Sequence, residues 1–230
     1  MKTKIEIKKE TIIKMMAISL FWGSLWGIAE ATLGYLVHLV TFIPGLAGFI
    51  MFPIGFYFMD RAYKESGKYI SLLSTSAVAA TIKLMDLFLP GLNPIFTINP
   101  AMAILMEGAV LMIAYKMIQQ SQRTFRFREA LMAAAGWRAT FILYSLALMA
   151  LSISDDFFHI GIGNILRFFI LESLVNALFI TAYLKTKKNF ETNLSASRIR
   201  IRDNAIKIGL SFSIMMFAIA ILTRIILWTF

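Results

Sequence analysis

Eight ionisable side chains stand inside long apolar runs: Glu30, Lys83, Asp86, Glu107, Arg138, Arg167, Glu172 and Arg224. A charge in hydrocarbon is costly unless it is paired or serves a function, so each marks a candidate site. Lys83 and Asp86 are three apart, which puts them on one helix face within pairing reach. Glu107 lies in the stretch 88–116, FLPGLNPIFTINPAMAILMEGAVLMIAYK. There a proline-rich loop leads to Asn99, a good N-cap residue, and to Pro100, which suits a first helical turn. A span is therefore expected to begin near residue 100. At the α-helical rise, Glu107 and Glu172 then lie roughly 10–13 Å below the external surface.

Glu30, Lys83, Asp86, Glu107, Arg167 and Glu172 all fall in the outer halves of their spans on this reckoning, whereas Arg138 falls in an inner half and Arg224 near an outer end. Acids and bases at similar depth suit a polar cavity open to the outside. The alternative is a set of ion pairs that hold helices together. Asn93, Asn99 and Asn176 would add hydrogen bonds to a ligand, and Trp22, Trp26, Phe96, Phe157 and Phe158 flat surfaces for stacking or lipid contact. The candidate substrate-binding set is thus Glu30, Lys83, Asp86, Asn93, Asn99, Glu107, Arg167, Glu172 and Asn176.

Long helices must position these groups. The 230 residues are 59% hydrophobic and 16% charged, with mean hydropathy +0.73. A soluble domain of this size cannot bury so much apolar surface. The expected fold is an all-α polytopic membrane bundle forming one domain, 1–230. A spanning helix needs roughly 20 apolar residues, and seven candidates appear at 13–39, 43–60, 69–89, 100–117, 130–152, 163–184 and 205–228. Six spans result if one is re-entrant or interfacial. Spans 1–2, 3–4 and 5–6 read as a loose hairpin repeat, because ILMEG near 107 and ILES near 172 recur, each followed by an Ala-Tyr pair.

Lys and Arg concentrate in 1–14, 60–68, 116–129 and 185–207, while the alternate linkers lack them. The positive-inside rule then gives a cytoplasmic N-terminus, with a basic segment at 1–12 and a basic cytoplasmic loop at 185–204. The first span is expected to stay as an anchor. The net charge of +10 belongs to this topology, so nucleic acid is not an expected partner, whereas membrane lipid is. Cysteine is absent. No GxxxxGK[ST], HExxH or GxSxG motif occurs, so the chain is expected not to be an enzyme, with no catalytic residue, metal or cofactor. Gly23, Gly27 and Ala31, four apart on span one, form a small-residue stripe that lets another helix approach closely, by default a neighbour in the same chain and alternatively a separate membrane subunit.

The loop PGLNPIFTINP leading into MAILMEGAV, the segment FIPGLAGFIMFPIGFYFMD with Pro44, Gly48, Gly55 and Asp60, and the stripe on span one resemble the substrate-binding S components of energy-coupling factor transporters. The resemblance covers about residues 12–185. It implies a plasma-membrane protein of a prokaryote that captures a vitamin-like molecule from outside. It also implies a coupling membrane subunit and ATPases supplied by other chains, with Gly23, Gly27 and Ala31 facing the coupling subunit. A seventh span departs from the family pattern. Lys2 stands where cobalt and nickel members carry a histidine, which argues against a metal-ion substrate. A self-contained proton-coupled transporter and a non-transport membrane scaffold are the alternatives.

Overall fold

The structure is a computed structural model, and it describes residues 4–34, 46–88, 93–121, 124–153 and 161–193. Every regular element among the described residues is helical. Helix α1 is Lys4–Ala29 and continues into a π-helical turn, Glu30–Gly34. Helix α2 is Leu46–Ser66, and α3 is Ile70–Leu84 followed by a 3₁₀ turn, Met85–Phe88. Helices α4 and α5 are Ile95–Gln120 and Phe127–Ala150. Helix α6, 162–193, consists of Ile162–Leu166, a π-helical turn Arg167–Leu171 and Glu172–Asn193.

Local chemistry sets these boundaries. Gly67, at φ +66°, supplies the left-handed residue that ends α2, and its N–H donates to the Tyr63 carbonyl at 2.8 Å. The Arg126 N–H donates to Glu129 Oε2 at 3.1 Å and starts α5. Inside the helices, serine and threonine hydroxyls donate to carbonyls of their own turn. Ser24 Oγ reaches Leu20 O at 2.6 Å, Thr81 Oγ1 reaches Ala77 O at 2.8 Å and Thr181 Oγ1 reaches Ala177 O at 2.7 Å. These polar groups are thus satisfied without water.

The helices pack as a ring in the order α1, α3, α4, α5, α6, α2, with α2 returning to α1 and also touching α3. Helix α3 is rich in small residues and lies between α1 and α4. A Cβ at Gly23 or Gly27 would overlap Val78 or Ile82 of α3, and one at Gly108 would overlap Ser76 on its other side. Close backbone approach of this kind is how helices adhere where lipid supplies no hydrophobic drive. Trp26, Phe52, Phe56, Met59, Leu72, Leu111 and Trp137 form the buried core. Large apolar side chains such as Ile113, Leu143, Leu146, Leu178 and Phe179 are exposed on the outer faces of α4, α5 and α6. An apolar exterior of this extent suits lipid and not water.

Five helices are long and apolar enough to cross a membrane: Glu10–Thr32, Ile70–Phe88, Ile95–Gln120, Phe127–Ala150 and Ile162–Lys187. Helix α2 matches the second expected span in position, but it carries Asp60, Arg61, Lys64 and Glu65 in its last turns. The seventh expected span, 205–228, lies outside the described residues, as do His38, Asp155, Asp156, Phe157, Phe158, His159 and Arg224.

One boundary differs from expectation. Helix α4 begins at Ile95, not near residue 100, so Asn99 is not its N-cap. The Ile95 N–H donates to Asn93 Oδ1 at 3.2 Å, and Pro100 sits inside the helix. Proline at 94 fixes a helix-compatible φ five residues earlier than the asparagine signal suggested.

Candidate functional site

At mid-bundle a polar chain runs from α2 through α6 to α5. Pro53 has no N–H, so the Phe49 carbonyl, four residues earlier on α2, lacks its helical donor. Asn176 of α6 answers it. Its amide satisfies both neighbours in one orientation, with Nδ2 donating to Phe49 O at 2.8 Å and Oδ1 accepting from Arg138 Nη2 at 2.8 Å. The opposite orientation leaves only a 3.4 Å approach to Gly48 O. The first orientation is the physical one, since it does not turn a donor toward a guanidinium.

Arg138 is fully buried at the middle of α5. Its Nη1 donates to the Ala134 carbonyl at 3.1 Å, and its Nη2 lies 3.5 Å from Glu172 Oε2. The other Glu172 oxygen is 3.5 Å from Arg167 Nη2. One carboxylate therefore faces two guanidiniums. The aromatic faces of Trp137 and Phe168, 4.5 and 5.1 Å from the Arg138 carbon, enclose the charge. A buried pair of this kind is held by mutual attraction, and removal of one partner strands the other.

The π-helical turn explains how Arg167 and Glu172 meet. The Glu172 N–H donates to the Arg167 carbonyl, a five-residue step that brings both side chains to one face. In a regular α-helix residues five apart point well away from each other. The second π-helical turn starts at Glu30, so both such turns carry a residue of the candidate set.

Glu107 sits twelve residues into α4, about 18 Å along the axis at the α-helical rise. Glu172 is ten residues into α6, or about 15 Å. Both are deeper than the sequence estimate, because both helices start earlier than expected. Glu107 is 4% exposed and lies within electrostatic reach of Glu30 and Arg138. Among the described residues it makes no hydrogen bond or ion pair of its own. Glu30 is buried at the start of the π-helical turn that follows α1, and Trp26, one turn earlier, is buried as well.

Lys83 and Asp86 pair as their spacing predicts, with Nζ 3.0 Å from Oδ2. Asn99 accepts the Tyr144 hydroxyl proton at 3.1 Å, tying α4 to α5. Asn93 is exposed at the start of α4. The structure thus joins Arg167, Glu172 and Asn176 through Arg138 and sets Glu107 and Glu30 within reach of that group or of each other. Lys83 and Asp86 form a separate pair, and Asn93 and Asn99 serve helix ends and helix contacts. Gly23 and Gly27 pack on α3 of the same chain, and Ala31 is buried. In this arrangement Gly23 and Gly27 form an internal helix contact.

Arg138 was the residue that sequence reasoning left out. Placing the span at 130–152 put it in the inner half, but α5 runs Phe127–Ala150 and centres on it. The Arg126 and Glu129 capping arrangement is the sequence signal that would have corrected this. Among the described residues no group of three or more His, Cys, Asp or Glu side chains is placed to hold a metal ion.

No family model matches this chain, and no curated protein or solved structure is detectably similar to it.

Proposed function

We propose that the chain is the membrane-embedded substrate-binding component of a micronutrient importer in the plasma membrane of a prokaryote. Its ligand would be a small polar or aromatic molecule resembling a vitamin. The observation that carries this reading is Glu107, a mid-bundle carboxylate without a hydrogen-bonding or ion-pairing partner among the described residues, beside the paired Arg138. An isolated buried carboxylate is costly, so its presence is best explained by a partner that arrives from outside the chain. Arg138, Glu172, Arg167 and Asn176, which hold one another through ion pairs and a hydrogen bond, would form one side of the ligand site in this reading. The step is capture, and release inward would draw on a coupling membrane subunit and ATPases from other chains.

The same residue favours a second reading, in which Glu107 carries a proton in a self-contained secondary transporter. Reconstitution of the purified chain alone in proteoliposomes separates the two. The importer reading predicts ligand binding without accumulation. Accumulation driven by a pH gradient, abolished in Glu107→Gln, replaces it with the second. Neither binding nor accumulation across a vitamin panel leaves the scaffold alternative.

A further inference from the structure

At the lysine- and arginine-rich end of the bundle, one buried carboxylate ties three helices. Asp60 of α2 is 1% exposed. Its Oδ1 accepts the Tyr115 hydroxyl of α4 at 3.1 Å. Its Oδ2 accepts the Tyr183 hydroxyl of α6 at 3.0 Å and Lys187 Nζ of α6 at 2.6 Å. Lys187 also donates to the Tyr183 hydroxyl at 3.1 Å, and Lys64 Nζ stands 4.0 Å from Oδ2. Around this carboxylate the rings close the bundle. Tyr63 and Tyr115 are 4.6 Å apart, Tyr115 and Phe125 5.0 Å, Phe56 and Phe125 5.4 Å, and Phe56 and Tyr183 6.2 Å. Below them stand exposed Lys64, Lys68, Lys116, Arg126, Arg128 and Lys185.

We infer that Asp60 and this aromatic layer are the closed inner gate of the bundle, with the Tyr183–Lys187 turn of α6 as the part that moves. The inference rests on the reading of the chain as a transport component. Asp60 supplies side-chain hydrogen bonds from α2 to both α4 and α6, so separating Lys187 and Tyr183 from it leaves α6 held to α2 at this end by ring contacts such as Phe56 with Tyr183, while Tyr115 stays bound. Lys187, with a side chain 10% exposed, is the α6 cation on Asp60, and with Lys64, 39% exposed, it is what water or a docking subunit reaches first. Higher up, the π-helical turn of α6 is a natural place for the helix to bend.

The absence of cysteine makes the test direct. A reporter is placed by Ala177→Cys, a fully buried position on α6 between the gate and Glu172. A second is placed by Ala101→Cys, buried near the start of α4 at the opposite end. A membrane-impermeant maleimide is applied to vesicles from the basic face. Labelling at position 177 is expected to be slow in the parent. It should rise progressively through Tyr183→Phe, Lys187→Gln and Asp60→Asn, by tenfold or more at the last, while labelling at 101 stays unchanged. The exchange Asp60→Lys with Lys187→Asp should restore protection. Equal rates in all variants overturn the gate. Rates that rise together at both reporters also overturn it, because the cluster is then only a clamp on the whole bundle. Tyr183→Phe removes one hydrogen bond and keeps the ring, so the series stays decisive if Asp60→Asn fails to fold. No ligand is needed, so failure of the importer reading leaves these rates untouched and the two failures are distinguishable.

Discussion

Asn176 donates to the Phe49 carbonyl at 2.8 Å, the group that Pro53 leaves without a helical donor. Two features that look unrelated in the sequence, a proline in one span and an asparagine in another, are thus one contact. Asn176→Leu should strand both that carbonyl and one face of Arg138, at about 1–3 kcal/mol for each unsatisfied group. Pro53→Ala gives the carbonyl its helical donor back. Asn176→Leu should therefore cost less in the Pro53→Ala background. Unfolding in mixed detergent micelles would read the cycle, with an expected coupling of about 0.5–3 kcal/mol. Additive effects would mean that the two residues do not share the carbonyl.

Arg138 and Arg167 both face Glu172 at 3.5 Å, but Arg138 is buried and the Arg167 side chain is 30% exposed. Arg138→Gln should therefore destabilise the protein by about 3–5 kcal/mol, as expected when a buried partner is stranded. Arg167→Gln should cost about 1 kcal/mol or less, because solvent screens that pair. Replacing the inner pair together, as Arg138→Met with Glu172→Leu, should recover most of the loss. Ligand binding should not return with it. Unfolding midpoints and binding measured on the same three variants check this.

Gly108 leaves no room for a side chain, since a Cβ would overlap Ser76 of α3. Gly108→Ala should cost about 1–3 kcal/mol through overpacking. Pairing it with Ser76→Gly should restore part of that stability. By contrast Gly163→Ala, which meets open space, should leave the unfolding midpoint unchanged.

Much of this architecture was legible in the sequence for physical reasons. Apolar run length announced the helices, and the three-residue spacing of Lys83 and Asp86 announced their pair. The small-residue stripe announced a close contact with a helix of the same chain by default, but not which helix, because spacing specifies a face and not its partner. The α4 start was misjudged because Asn99 and Pro100 repeat, six residues later, the signal that Asn93 and Pro94 already supply. Arg138 was misplaced in depth because α5 starts three residues before its apolar run. The π-helical turn at Arg167 left no mark, since a five-residue hydrogen-bond step has no residue signature of its own. Asp60 stood at the polar edge of an apolar run with no local signal of its partners, because Tyr115 and Tyr183 come from distant helices.

Glu107 carries the central claim. Glu107→Gln keeps its shape and removes a carboxylate that has no hydrogen bond or ion pair among the described residues. The unliganded variant should unfold within about 0.5 kcal/mol of the parent, or above it. The most direct measurement is thermal unfolding of the parent and of Glu107→Gln, each with and without a panel of vitamin-like compounds. The account predicts that at least one compound raises the midpoint of the parent, and that Glu107→Gln loses this shift while its own midpoint holds. A parent that no compound stabilises, or a variant that loses stability and keeps the shift, would contradict it.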